Sequence, residues 1–428
     1  MRWLVVLMFA LLPLQWFVVA GTPLGQARLH QVAMLGLAMV IAVRLPLRNY
    51  VPVLRTGRVF IIANLYLVGV ILAVATYRGD GVGSGARQLL YLLVFVALGG
   101  YFYRAAASRD QRVLGSLRLV AAVTGISVLL GFTIAMLVNG VNPAGVFARS
   151  IAAADPEIFQ KEVFKSSFAG FGYDEESARG NLRHEIFGSV LLSMLVSTWA
   201  MRVGSAPTRG VLLGYRATMM LGVALLTLSL SRSILIAAAV WPLLAVWRSL
   251  RRGELSPRQV GVLFGSLALA GVVLASGLGT VLVNRFFTDT TGYAARAENY
   301  WGAFAAIPDH WVVGGFATAG ESSHNFVIDT LLRDGIFAAI PAAVIVVTML
   351  IVFGWMSLRL PRLPAALVPV VAALALPLVR ASTSGGGLIP PVEWVALGLV
   401  VGVLAAWRTP APDTVPARDD QARLGARV

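Results

Sequence analysis

Residues 216–248 read RATMMLGVALLTLSLSRSILIAAAVWPLLAVWR, and between Arg216 and Arg248 the only charge is Arg232. As one helix the stretch is overlong for a bilayer and buries a guanidinium near mid-membrane, at a cost of several kcal/mol. As two helices turning at Ser231-Arg232-Ser233, it leaves Arg232 at one surface and sends Arg251 and Arg252 to the other. The second reading is the expectation here, because the arginines elsewhere in the chain agree with it.

Those arginines punctuate a very apolar sequence. Of 428 residues, 58% are hydrophobic and 13% charged, and the mean hydropathy is +0.79, more apolar surface than one soluble core hides. Backbone amides in hydrocarbon need internal partners, and the apolar runs are too long for barrel strands, so the spans are expected to be helices and the fold all-α. At roughly 20 residues per span, helices fall near 3–20, 31–46, 59–76, 88–103, 119–138, 185–202, 212–231, 233–250, 259–284, 336–358, 363–380 and 394–408, about twelve in a single transmembrane domain 1–408. Counting alternately, one set of short loops carries Arg44, Arg48, Arg55 and Arg58, then Arg104, Arg109, Arg112 and Arg118, then Arg202 and Arg209, then Arg248, Arg251, Arg252 and Arg258, then Arg359 and Arg362. The other set carries little beyond Arg28, Arg78 and Arg87. The positive-inside rule then places both termini in the cytoplasm.

The net charge of +15 comes from these spaced arginines rather than from one basic face, so no nucleic-acid partner is expected, whereas membrane lipid is. The absence of cysteine excludes disulfides and thiolate metal sites. Met1 to Ala20 resembles a signal peptide, but its apolar stretch is nearly membrane-length and lacks a small-x-small cleavage site, which makes it the first span. Residues 409–428, with Pro410, Pro412, Pro416, Asp419 and Asp420, read as a disordered cytoplasmic tail. Two segments break the economy of short loops, 139–184 and 285–335, both external in this topology and both candidates for function.

The densest polar pattern lies in the second. Ser322 or Ser323 is expected to cap a helix starting at His324, with Val327, Ile328, Leu331 and Leu332 on its apolar face and Gly335 ending it. A histidine in a first helical turn is kept neutral by the helix dipole, which also favours a bound anion, so His324 is a candidate general base beside a phosphate. An interfacial histidine satisfied by backbone is the plain alternative. Arg296 precedes it in a helical pattern with Tyr300, Trp301, Phe304 and Ile307 that Pro308 fits the end of, and Gly314-Gly315 permits a tight turn. A guanidinium suits diphosphate oxygens, although Glu298 or Asp289 would equally suit Arg296 as an ion-pair partner. Arg232 at the mouth of an apolar helix pair needs a partner or water. Arg380 ends a span beside the flexible run Ser382 to Gly387. In the first loop, Arg183 and His184 stand at a membrane edge, where interfacial anchoring is the plain reading. No H-E-x-x-H, phosphate-loop or Gly-x-Ser-x-Gly pattern is present, and neither a metal nor a cofactor is expected.

Taken in order, Arg296, Pro308, Gly314-Gly315-Phe316, His324-Asn325-Phe326 and Asp334-Gly335-Ile336 resemble the C-terminal signature of the O-antigen ligase and Wzy polymerase superfamily, and Ser231-Arg232-Ser233 resembles its earlier serine-arginine turn. The resemblance covers roughly residues 180–340. It implies a metal-independent, inverting glycosyltransferase of the bacterial inner membrane that takes a glycan from a polyprenyl diphosphate donor on the periplasmic side and passes it to a glycan or lipid acceptor. His324 would then activate the acceptor hydroxyl, Arg232 and Arg296 would hold the donor diphosphate, and Arg183, His184, Asn325 and Arg380 would be accessory. Arg183-His184-Glu185-x-Phe187-Gly188 is similar to a histidine-lysine-asparagine-x-x-glycine pattern of exopolysaccharide polymerases, with glutamate here where that pattern has lysine. Ligase and polymerase both remain open. A transporter or flippase of lipid-linked saccharides is the rival class; its polar groups would lie within the spans, which the sequence shows as largely clean.

Overall fold

The computed structural model describes residues 1–14, 18–22, 25–79, 83–153, 183–229, 231–254, 291–315, 325–383 and 391–408, with Asp155, Ile158, Glu162 and Ser323 as isolated positions. The expected span 259–284, the tail 409–428 and most of the first long loop lie outside them. In chain order the elements are α1 (Arg2–Leu11), β1 (Val18–Thr22), β2 (Gly25–Arg28), α2 (Leu29–Arg44), α3 (Tyr50–Thr56), α4 (Arg58–Arg78), α5 (Gly83–Ser108), α6 (Gln111–Leu117), α7 (Val120–Val138) and α8 (Pro143–Ala152). Then come α9 (Arg183–Val203), α10 (Arg209–Leu228), α11 (Arg232–Arg252), α12 (Thr291–His310), α13 (Phe326–Asp334), α14 (Ile336–Arg359), α15 (Val368–Ala373), α16 (Ala375–Thr383) and α17 (Pro391–Arg408).

Among the described residues, 9 helices are long and apolar enough to cross a membrane, rising to 10 if the bent pair of α2 with Leu47–Thr56 is one span. The described residues form an all-helical membrane protein but for one hairpin, and the hairpin corrects the first expected span. Pro13 has no N–H to donate to the Phe9 carbonyl, which accepts instead from Thr124 Oγ1 at 3.0 Å. The helix stops at Leu11, and β-branched Val18 and Val19 open a strand in which Val18 pairs with Arg28 and Thr22 with Gly25. α1 is therefore shorter than a crossing, and the hairpin hands Arg28 to the start of α2.

The stretch 216–248 does form two helices, with the chain turning between Leu228 and Arg232. Proline shapes two other spans. After α2 the chain bends by 113° at Leu45-Pro46, and Tyr50 Oη ties the bend by donating to the Ile41 carbonyl at 3.0 Å. The span expected at 363–380 is interrupted at Leu374, between α15 and α16: Pro377 has no N–H to donate to the Ala373 carbonyl one turn earlier, and its ring crowds that oxygen.

The core is built from the least lipid-exposed spans. The apolar window of α9 is 83% buried against 17% for that of α10, so α9, with α5, α15, α16 and α17, forms the centre and α10 the rim. α5 and α17 run parallel in close contact, their backbones admitted by glycines: a Cβ on Gly398 would lie 3.2 Å from the Phe95 carbonyl oxygen, and one on Gly402 would overlap that of Gly99. Phe60, Phe95 and Trp394 stack beside this seam, with Phe60 ring centroids 5.2 Å and 5.7 Å from the other two.

One end of the bundle is arginine-rich, and its arginines close helix ends. Arg118 donates to the Ser205 carbonyl at 2.6 Å, Arg202 to Ala365 at 2.7 Å, Arg248 to Leu363 at 3.3 Å and Arg252 to Pro361 at 2.7 Å. Arg359 and Arg408 both lie against Trp355, 4.6 Å and 5.1 Å from its ring centroid. The candidate site lies at the other end.

Candidate functional site

At that opposite end α2, α5, α9, α11 and α17 begin and α4 and α16 finish. Four of these helices meet at Gly188 of α9. A Cβ there would lie 3.5 Å from Val392 Cγ1, 3.6 Å from Ile234 Cδ1 and 3.8 Å from Leu376 Cδ2. Within one turn of these contact points stand Glu185 on α9, Arg232 on α11, Arg380 on α16 and Glu393 on α17.

Three of the four are buried: Glu185 is 9% exposed, Arg380 4% and Glu393 3%. A buried charge is tolerated when it is compensated, and here the compensation is internal. Arg380 is the strongest countercharge acting on both glutamates, and Arg28 and Arg87 add to it at Glu185. One carboxylate oxygen of each glutamate, Oε2, has no hydrogen-bond partner among the described residues. Arg232, at the first position of α11, is half-buried.

A second polar layer adjoins this one. His30, 1% exposed at the start of α2, has neither ring nitrogen hydrogen-bonded among the described residues, and the charges of Arg28 and Arg87 act on it. Gln31 Nε2 donates to Tyr91 Oη at 3.0 Å, and Gln88 Nε2 donates to Asn64 Oδ1 at 3.2 Å. The spans are therefore less clean than the sequence implied: their outer turns carry buried glutamates, an arginine, a histidine and amides.

The described parts of the second long loop fold onto this end. α12 continues through Pro308 to His310, two residues beyond the proline expected to end it. Gly314 and Gly315 adopt φ of 72° and 108°, and Gly335 a φ of 81°, which side chains with a Cβ rarely take. These turns interlock: Gly315 N donates to the Arg333 carbonyl at 3.1 Å, Ile336 N to Trp311 at 2.8 Å, and Arg78 of α4 donates to the carbonyls of Arg333 (2.7 Å) and Val313. α13 starts at Phe326 rather than His324. Its cap is Asn325, whose side-chain oxygen accepts from Val327 N at 3.0 Å and Ile328 N at 3.3 Å, while Ser323 donates from both N and Oγ to Asp329 Oδ1 at 2.7 Å and 2.6 Å. Asparagine outcompetes serine because its oxygen reaches the amides two and three residues on.

Of the residues chosen from sequence, Arg232, Asn325 and Arg380 have described side chains. α13 packs on α16, and α16 on α11, so all three are brought to the same end of the bundle. Arg183, His184 and Arg296 are placed only as backbone positions in the first turn of α9 and in α12, and His324 lies outside the described residues. Glu185, Glu393, Arg28, His30, Arg87 and Tyr91 were not singled out by sequence reasoning. The usable signal was a lone glutamate or histidine in the first turn of an apolar helix; their partners are too distant in sequence for spacing to reveal. Among the described residues there is no group of three or more His, Asp or Glu able to hold a metal ion. The chain matches no protein-family model, and no curated protein is similar to it.

Proposed function

We propose that this protein is a glycosyltransferase of the bacterial inner membrane that moves a glycan from a polyprenyl diphosphate donor to an acceptor hydroxyl on the non-cytoplasmic face, in the manner of O-antigen ligases or polysaccharide polymerases. The reading is supported above all by one observation: Arg232, Arg380 and the capped start of α13 come together at the end of the bundle opposite the arginine-rich turns. With the positive-inside rule, that end is periplasmic and the C-terminus cytoplasmic.

In this reading the polyprenyl chain lies along apolar helices and the diphosphate meets guanidinium groups at the interface. His324 accepts the proton of the acceptor hydroxyl as its oxygen attacks the anomeric carbon. The bond from that carbon to the diphosphate oxygen breaks, and the charge left on the diphosphate is held by Arg232 and Arg296. Fixed cations there help the transition state more than the ground state, because the leaving-group charge grows as the bond breaks.

The test is transfer by purified protein from a defined lipid-linked donor, with products weighed by mass spectrometry. His324→Ala is expected to abolish product while donor binding persists, and Arg232→Ala to weaken donor binding about tenfold or more. Unchanged product in His324→Ala removes the histidine from the mechanism. Chain growth on donor alone would select polymerase over ligase. A second reading, carriage of the lipid-linked saccharide across the membrane, is favoured by the buried Glu185, Arg380 and Glu393 within the helices. Translocation in proteoliposomes with no new glycosidic bond would decide for it.

A further inference from the structure

A separate pocket opens between α4, α5 and α13, lined by Ile71, Ser84, Arg87, Gln88, Tyr91 and Arg333. Ile71 is seven residues before the end of α4, so the pocket reaches about 10 Å inward from that helix end. Its lining is unusual for that depth: one apolar side chain faces two guanidinium groups, a hydroxyl, an amide and a phenol.

Several of these groups have donors to spare. Arg87 is half-buried and forms no ion pair or hydrogen bond among the described residues, although its charge acts on His30, Tyr91 and Glu185. Tyr91, 2% exposed, accepts from Gln31, which leaves its own hydroxyl proton undonated among the described residues. Gln88 is likewise buried, and its amide nitrogen is turned to Asn64. Arg333 is held at the pocket edge by its backbone, through Arg78 and Gly315, and its guanidinium is paired on one side with Asp334 at 2.8 Å. Asp334 offsets Arg333, and Glu185 partly offsets Arg87. The balance still favours an anion, because five donor-bearing side chains, two of them cationic, line the pocket and no acceptor-only group does.

We infer that this pocket is a binding site for a single oxyanion, a phosphate or carboxylate, held by Arg87, Arg333, Ser84 and the Tyr91 hydroxyl. The depth matches the headgroup layer, and the oxyanion can belong to a membrane phospholipid or to a free phosphate. The site stands apart from the transferase reading, since it is measured without donor or acceptor.

Isothermal titration of the full chain in neutral detergent tests it, with phosphatidylglycerol, phosphatidylcholine and inorganic phosphate as three separate probes. Saturable binding of phosphatidylglycerol over phosphatidylcholine assigns a lipid headgroup, and binding of inorganic phosphate assigns a free anion. In either case Arg87→Gln and Arg333→Gln should each weaken the affinity about tenfold, and Arg87→Lys by no more than about threefold. If Arg87→Gln fails to fold, Ser84→Ala and Tyr91→Phe, which remove one donor and no charge, should each cost about threefold. Equal affinity in wild type and these variants, or no saturable binding of any probe, overturns the inference.

Discussion

Arg380 sits where two buried carboxylates from different helices have no other strong countercharge in common. Removing it takes the strongest countercharge from both glutamates, leaving Glu185 with Arg28 and Arg87, in a site from which water is largely shut out. Arg380→Met is therefore expected to lower the thermal midpoint in detergent sharply, and adding Glu185→Gln with Glu393→Gln to recover most of the loss. An Arg380→Met protein that melts like wild type would contradict the pairing. Arg232 was legible in sequence because nothing else charged lies between Arg216 and Arg248. Glu185 and Glu393 were not, because a glutamate at the head of an apolar run looks the same whether it faces solvent or a partner brought in from another helix. His324, the residue on which the proposed chemistry turns, is a matter for the transfer assay.

Among the elements, α13 shows how one side chain sets a boundary. Asn325 satisfies two amides that would otherwise lack partners, so Asn325→Ala should destabilise the start of α13 by about 1 kcal/mol. Hydrogen exchange should show it as faster exchange at Val327 and Ile328, and unchanged protection there would mean the cap is dispensable. The α5–α17 seam is less forgiving. A leucine at Gly402 would drive into the Gly99 carbonyl, so Gly402→Leu should separate the two helices and abolish a folded, monodisperse peak in size-exclusion chromatography. Sequence periodicity located most helices to within a few residues, since a lipid-facing run announces itself by composition. It missed where prolines cut the runs: Pro13 ends α1 early and Pro377 splits α15 from α16, while Pro308 lies inside α12. A proline's effect depends on which carbonyl stands one turn before it and whether that carbonyl has another partner, and neither is visible in a one-dimensional pattern.

For the whole molecule, orientation is the property that the charge pattern argues and chemistry can check. With no native cysteine in the chain, single cysteines at Ser205 and Val313 report on the two ends without background. A membrane-impermeant maleimide added to intact spheroplasts should modify Ser205→Cys weakly and Val313→Cys fully, and the reverse pattern would turn the molecule over and move the proposed site to the cytosol. The count of crossings was less legible than their nature: α1 is too short to span, and 259–284 lies outside the described residues. The arginines at Ser205, Ala365, Leu363 and Pro361 carry one more implication. In the proposed orientation, the side chains that the insertion machinery reads as a sign of which face stays inside are also the plugs that close those carbonyls once the chain has folded. Swapping them for neutral residues would thus blur the biosynthetic address and fray the finished bundle in a single stroke, so orientation and integrity in this protein are inherited together.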